Sequence, residues 1–222
     1  MKKIISYSLW GDNPKYCVGA LKNAESCKDF YPDWECIFYI SNNVPEEYIE
    51  NLRKLNSKII TLNEKPNSSF NVNRFLAMDT PNASRVIFRD TDSRFCQREV
   101  DAVNEWVSED TALHVMKDHP YHGNFPILAG MFGLNKSKFP YSMSESINVF
   151  RKQTEGKLDN HYYFDQIFLQ NFIWNNFEND CTIHDEFFHC KPYPSLRVDK
   201  RFVGESFEED ESRNEEHLKF IK

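Results

Sequence analysis

The stretch Arg85-Val86-Ile87-Phe88-Arg89-Asp90-Thr91-Asp92 decides how the rest of the sequence is interpreted. Residues 85–89 are mostly apolar and β-favouring, which predicts a strand that ends directly at Asp90. If the backbone stays extended, Asp90 and Asp92 point the same way, because side chains alternate along a strand. Two carboxylates that face one cation together predict a site for Mg²⁺ or Mn²⁺. The alternative is that Asp92 or Ser93 only caps the next helix while Asp90 ends the strand.

Strand and helix patterns alternate before this stretch. Strands are predicted over residues 4–9, 34–40 and 57–62, and helices after Pro14 and over 45–55. Such alternation predicts right-handed βαβ units and a mainly parallel sheet flanked by helices, that is, a single α/β domain. Ligands of open α/β sheets bind at the carboxyl ends of the strands, where the strand order reverses, so the Asp90 region is an expected ligand site.

Weaker patterns follow the two aspartates. They predict helices over 98–107 and 163–177 and strands over 113–116, 127–134 and 181–183. Residues 205–216 are rich in acidic side chains and have little to bury. We therefore expect one domain over residues 1–204, followed by a solvated acidic tail over 205–222.

Bulk properties exclude some classes of function. The formal net charge of −7 lacks the basic excess of a nucleic-acid-binding protein, so we expect no nucleic acid partner. No stretch reaches the roughly 18 to 20 apolar residues of a membrane span, so no transmembrane segment is expected. The six cysteines form no CxxC pair, which favours reduced thiols and a cytoplasmic location.

Several short motifs follow one another along the chain, and their order is more informative than any one of them. They are Ser6-Tyr7-Ser8-Leu9-Trp10-Gly11, Arg74-Phe75-Leu76, Phe88-Arg89-Asp90-Thr91-Asp92-Ser93-Arg94, His114-Val115-Met116-Lys117-Asp118-His119-Pro120, Ile127-Leu128-Ala129-Gly130-Met131-Phe132-Gly133, Tyr163-Phe164-Asp165-Gln166 and Ile183-His184-Asp185. This order resembles glycosyltransferases of the GT-A fold, in which an Asp-x-Asp motif follows a Rossmann-like half. The resemblance implies one GT-A domain that moves a sugar from a nucleoside diphosphate sugar to the hydroxyl of a carbohydrate or other acceptor.

The resemblance also implies roles for individual residues. Asp92 would bind the metal directly, and Asp90 would bind the metal, the ribose, or both. His184 would be a third metal ligand and His189 its rival, although either can be an ordinary surface or core histidine. The nucleotide-sugar site would comprise Ser6, Ser8, Leu9, Arg74, Arg89, Asp90, Gly130 and Gln166. In that set, Arg74 and Arg89 suit bidentate contacts to the diphosphate, or else are structural ion-pair partners.

Catalytic roles are expected for Asp165, Asp118 and His119, acting on the sugar and the acceptor. A carboxylate there can bind sugar hydroxyls or act as a general base toward the acceptor hydroxyl. Asp165 can instead be only a negative charge at the start of its helix.

Two other functions fit parts of the sequence. Residues 86–92 are also similar to the nucleophile strand of haloacid-dehalogenase-like phosphatases, although those carry the motif near the N-terminus and do not continue with Ser93-Arg94. The third possibility is a protein of the same fold that binds nucleotides or sugars without catalysis.

Overall fold

One seven-stranded sheet organises the chain in the order β3-β2-β1-β4-β6-β5-β7. The computed structural model describes residues 1–63 and 66–221. The strands are β1 Lys2–Leu9, β2 Trp34–Ser41, β3 Lys58–Leu62, β4 Ala83–Arg89, β5 Leu113–Lys117, β6 Met131–Asn135 and β7 Cys181–Asp185.

The strand order reverses beside β1. β2 lies beside β1 and β3 lies beside β2, all on one side of β1. β4 then lies on the other side of β1. Ser6 of β1 lies between Ile37 of β2 and Phe88 of β4 in parallel register. β6 alone runs antiparallel to its neighbours β4 and β5. The carboxyl ends of β1 and β4 therefore lie side by side, where the chain ends one half of the sheet and begins the other.

Helical segments cover both faces of the sheet. They are α1 Pro14–Phe30, α2 Glu46–Lys54, α3 Gln97–Glu109, α4 Met143–Gln153, α5 Phe164–Phe168, α6 Asn175–Phe177 and α7 Glu215–Leu218. Apolar side chains of α1, α2 and α3 form one buried cluster with the sheet. Those of α4, α5 and α6 form another, together with the 3₁₀ turns of Ser68–Asp79. The predicted α/β class and the mainly parallel sheet are confirmed.

Local differences from the predicted elements have physical causes. The strand expected over 127–134 begins only at Met131, because residues 128–131 turn and the amide of Met131 donates to the carbonyl of Leu128 at 2.9 Å. The helix expected over 163–177 is broken by a π-helical turn, Leu169–Trp174, between α5 and α6. The 3₁₀ stretch and α4 were not predicted.

Parts of the C-terminal segment pack onto the domain, contrary to the solvated tail that we expected, whereas residues 208–212 are exposed. Glu205 is 2 % exposed, Phe207 is 4 % exposed and Ile221 is 1 % exposed. Their burial is possible because Arg201 and Arg213 pair with the Glu205 carboxylate and the Phe207 ring packs under the Arg94 and Arg201 guanidiniums. Residues 205–213 are called the C-terminal strap below.

Two smaller expectations concern the membrane and the cysteines. Among the described residues, none of the helices combines the length and apolarity needed to span a bilayer. All six cysteines are free thiols in the structure.

Candidate functional site

A cavity of about 490 Å³ opens at the carboxyl ends of β1 and β4. The turn after β1 forms one wall, and the residues that end β4 form the floor. It is lined by Ser8, Leu9, Trp10, Gly11, Asp12, Asn13, Tyr16, Ser68, Asn71, Arg74, Asp90, Thr91, Asp92 and Tyr162. Of the residues that sequence reasoning singled out, Ser8, Leu9, Arg74, Asp90 and Asp92 thus share one cavity.

Helix α1 fixes the backbone of the Asp-Thr-Asp motif. The Thr91 carbonyl accepts hydrogen bonds from Asn23 Nδ2 at 3.0 Å and from Arg94 Nη1 at 3.2 Å. Gly19 lies so close to this carbonyl that a Cβ atom there would stand 2.2 Å from the oxygen. These contacts fix the backbone at Thr91, and the flanking residues Asp90 and Asp92 line the cavity.

The two motif aspartates differ in exposure. The Asp90 side chain is 50 % exposed, whereas that of Asp92 is 18 % exposed. Burial and the negative charge of Asp90 raise the pKa of Asp92 to about 6, against the opposing effect of the Lys15 ammonium 3.6 Å away. The motif therefore holds a carboxylate whose ionised form is disfavoured and which a nearby positive charge would stabilise.

Arg74 links the motif to the segment around Asp165. Its guanidinium donates from Nη1 to Asp90 and from Nη2 to Asp165 at 2.9 Å, and the side chain is 4 % exposed. β1 holds the Arg74 backbone, because Ser8 Oγ accepts from its amide at 2.9 Å and Ser6 Oγ donates to its carbonyl at 2.7 Å. The hydroxyl groups of Ser6 and Ser8 therefore hold the Arg74 backbone in place.

Asp165 is buried at the start of α5, with 6 % of its surface exposed. Its Oδ1 accepts from the amide of Gln166 at 2.9 Å, while Oδ2 pairs with Arg74. Burial raises the pKa of Asp165, and the Arg74 guanidinium opposes that rise. The side-chain oxygen of Gln166, Oε1, is buried without a hydrogen-bond partner, and Gln166 does not line the cavity.

Gly130 packs directly against the Asp90 carboxylate. A Cβ atom at this position would lie 2.0 Å from Asp90 Oδ2 and 2.5 Å from Cγ. A larger side chain would displace Asp90. Gly130 is therefore required to leave room for the Asp90 carboxylate.

Arg89 does not face the cavity, contrary to the predicted diphosphate contact. Its side chain is 2 % exposed and its Nε donates to Glu99 of α3 at 2.6 Å. Nη1 donates to the carbonyls of Phe88 and Phe132 at 2.8 and 3.3 Å. The alternation that aims Asp90 at the cavity turns Arg89 toward the helix α3 side, where it forms a structural ion pair.

Asp118 and His119 also lie outside the cavity. Asp118 is fully buried and accepts from Arg98 at 3.0 and 3.1 Å, from Arg197 Nη2 at 2.6 Å and from the Val203 amide at 2.9 Å. His119 caps a short turn: Nδ1 accepts from the Tyr121 amide, and Nε2 lies 3.1 Å from the His217 carbonyl oxygen. The structure therefore does not bring this pair to the cavity, and their polar atoms contact protein partners; their predicted catalytic roles stay predictions.

His184 is far from the motif across the sheet. β7 is three strand spacings from β4, which corresponds to about 14 Å at the usual strand separation. Its Nδ1 lies 2.9 Å from His114 Nε2 and its Nε2 lies 3.1 Å from Glu105 Oε2. The structure therefore does not bring His184 to Asp90 and Asp92, and its rival His189 is an exposed residue that does not line the cavity. Metal ligation by either histidine stays a prediction.

Several cavity residues were missed by sequence reasoning. Asp12 and Asn13, in the turn after β1, were not among the predicted site residues, although they line the cavity and Asn13 caps α1 by accepting from the Lys15 amide at 3.0 Å. Trp10 Nε1 donates to Asn71 Oδ1 at 3.0 Å, which fixes the indole at the cavity edge. A Gly-Asp-Asn-Pro turn that directly follows the first strand was the available signal.

The C-terminal strap also reaches the motif. The amide of Phe207 donates to the Asp92 carbonyl at 2.8 Å, and Ser206 forms an antiparallel bridge with Ser93. Glu211 accepts from Arg94 Nη2 at 2.7 Å and from Nε at 3.3 Å. The strap thus contacts the motif and the two residues that follow it, Ser93 and Arg94.

Comparison with known proteins identifies the fold. No family model and no curated protein matches the sequence. A solved glycosyltransferase involved in glycosylation of the major capsid of PBCV-1 is similar at 12 % identity and a TM-score of 0.51, covering 82 % of this chain and 80 % of its own. The galactosyltransferase LgtC, in complex with donor and acceptor sugar analogs, matches at 15 % identity and 0.50, covering 82 % and 73 %. A Bacillus anthracis protein assigned as a glucose-1-phosphate thymidylyltransferase matches at 10 % and 0.54, covering 84 % and 87 %.

At these identities the similarity establishes the fold. The chain has the GT-A type of fold found in nucleotide-diphospho-sugar transferases and nucleotidyltransferases, as the motif order predicted.

Proposed function

We propose that this protein transfers a glycosyl group from a nucleoside diphosphate sugar to an acceptor hydroxyl, with the help of Mg²⁺ or Mn²⁺. The observation that carries the proposal is the pair Asp90 and Asp92 at the floor of a cavity where the strand order of a GT-A sheet reverses. Ligands of open α/β sheets bind at this position.

The residues present fit a hard divalent cation. Asp90 and Asp92 offer carboxylate oxygens, which Mg²⁺ and Mn²⁺ prefer. Throughout residues 1–63 and 66–221, no group of three or more His, Cys, Asp or Glu side chains could hold a metal ion. Water and the donor diphosphate would supply the other ligands, as is usual for Mg²⁺. When bound, the metal would stabilise the charge of the departing diphosphate.

The cavity suits the nucleoside part of the donor. A volume of about 490 Å³ falls within the range of small-molecule sites. Its aromatic side chains include Tyr16, which is 39 % exposed, and Tyr162, which is 71 % exposed, so both rings have faces free for a nucleobase.

Arg74 and Asp165 act on the sugar side in this proposal. Arg74 shares its charge between Asp90 and Asp165, so it positions the two carboxylates relative to each other. Asp165 does not itself line the cavity, and its two oxygens accept from the Gln166 amide and from Arg74. It would bind sugar hydroxyls, or take the proton of the acceptor hydroxyl, once one of these bonds opens. The acceptor is a carbohydrate or another compound with a free hydroxyl.

A screen of donor hydrolysis tests the proposal. The protein is incubated with common nucleotide-sugars and Mn²⁺, with and without EDTA, while calorimetry measures UDP and GDP binding under the same conditions. Metal-dependent binding together with release of free sugar or its transfer to an added acceptor is the expected result. Binding without turnover of any donor would favour a non-catalytic binding protein. Absence of metal-dependent nucleotide binding would overturn the proposal.

A further inference from the structure

A lysine at the start of α1 lies against the metal motif. Lys15 Nζ is 3.6 Å from Asp92 Oδ2, and the Lys15 side chain is only 22 % exposed. Helix position contributes to this placement, because Asn13 caps α1 through the Lys15 amide and so fixes the residue at the first turn. Lys15 therefore places a positive charge next to the partly buried Asp92 carboxylate.

The same ammonium group is held by the C-terminal strap. Lys15 Nζ lies 3.0 Å from Glu208 Oε1, closer than it lies to Asp92. Burial alone would lower the pKa of Lys15, but Glu208 and Asp92 together raise it, so the group stays charged. The strap cannot swing away freely, since Phe207 and Ser206 are bound to the backbone of the motif.

One ammonium thus bridges two carboxylates of unequal exposure. The Glu208 side chain is 59 % exposed, so its attraction for Lys15 is partly screened by solvent, whereas Asp92 is 18 % exposed. A divalent cation at Asp92 would stand within a few ångströms of the Lys15 ammonium, and two positive charges at that separation repel strongly in a partly buried site. Metal and lysine compete for one carboxylate.

We propose that Lys15 is an internal counter-ion that competes with the divalent metal for Asp92, and that Glu208 sets the strength of this competition by drawing Lys15 away. The inference rests on the proposed metal role of Asp92. In this arrangement the C-terminal strap tunes metal affinity through a single side chain, without itself supplying a metal ligand.

Substitutions at the two ends of the bridge should act in opposite directions. Lys15→Met keeps the length of the side chain and removes its charge, so the affinity for Mn²⁺ should rise by about threefold or more. Glu208→Gln removes the carboxylate that draws Lys15 away from Asp92. Lys15 should then pair more strongly with Asp92, so the affinity for Mn²⁺ should fall. The double variant should resemble Lys15→Met, because Glu208 acts through the lysine.

The measurement is a titration with Mn²⁺ alone, followed by the electron paramagnetic resonance signal of the free ion, with thermal melting of each sample. Lys22→Met is the matched control, since Lys22 lies on the same helix, is 47 % exposed and pairs with Glu25 at 3.8 Å. It should leave the Mn²⁺ affinity unchanged.

The outcomes separate this inference from the proposed function. Unchanged Mn²⁺ affinity in both variants, or changes in melting temperature alone, would mean that the bridge is merely structural and would overturn the inference. A loss of affinity in Lys15→Met would overturn it as well, since the lysine would then assist binding. A parent chain that binds no Mn²⁺ with UDP present, together with a Lys15→Met variant that binds none, would remove both proposals.

Discussion

Asp90 and Asp118 are two aspartates that each follow a strand and pair with arginine, yet they have opposite surroundings. Asp90 is half exposed, contacts Arg74 and faces a cavity. Asp118 is fully buried, and Arg98, Arg197 and the Val203 amide occupy its two oxygens. In sequence they look alike. A charged residue therefore qualifies as a candidate ligand-binding residue when its oxygen atoms are accessible to a ligand. Its charge alone does not distinguish it from a member of a structural ion pair.

The largest effect is expected for Asp92→Ala. Loss of one of the two proposed carboxylate ligands should lower metal-dependent UDP affinity by about two orders of magnitude. Calorimetry with UDP and Mn²⁺ measures this. Asp101→Ala is a suitable control, since Asp101 lies on α3 with its carboxylate bound to Gln97. An Asp92→Ala protein with parental affinity would contradict the metal site.

Asp165→Asn should mainly reduce turnover. The amide keeps the shape but removes the charge and the basicity, so donor turnover should fall by about a hundredfold while UDP affinity stays near that of the parent. Turnover and melting temperature are measured on one sample. Normal turnover with a lowered melting point would mean that Asp165 only supports its helix and Arg74.

Asp118→Asn should have the opposite signature. It leaves Arg98 and Arg197 without their shared carboxylate in a buried place, which should lower the free energy of unfolding by about 3 kcal/mol. Chemical denaturation measures the loss, and UDP affinity per folded molecule should be unchanged. A turnover defect without loss of stability would return Asp118 to the site.

The smallest effect is expected for Gly130→Ala. The added methyl group would overlap Asp90 Oδ2, so Asp90 must move and UDP affinity in Mn²⁺ should fall by about tenfold. Gly133→Ala on the neighbouring strand is the control. Its Cβ would meet Ile87 and Trp106 at 3.0 Å, so it should reduce stability and leave binding unchanged.

The first half of the fold could be predicted because its signals are local. Strands β1 to β4 are short apolar runs bounded by turn residues, and α1 begins at Pro14 with Asn13 as its cap. The position of Asp90 and Asp92 then followed from the rule that sites lie where strand order reverses. The fold class and the cavity floor were therefore within reach of the sequence.

The second half was predicted poorly because its side chains are defined by distant partners. His184 bonds to His114 and Glu105, and Asp118 bonds to arginines 20 and 79 residues away. Local patterning carries no information on which polar groups such residues meet. The burial of Phe207 was missed partly for the same reason, because Arg94, which covers one side of its ring, lies far away in the sequence.

The bridge between Ser93 and Ser206 has a consequence for how the protein is made. A ribosome adds roughly 5 to 20 residues per second, so the motif leaves the exit tunnel on the order of ten seconds before the strap that completes its surroundings. During that interval the nascent chain carries the acidic pair without Glu208 opposite Lys15 or Phe207 against the motif backbone. If the proposed function holds, nucleotide binding with full metal affinity must therefore await translation of the strap.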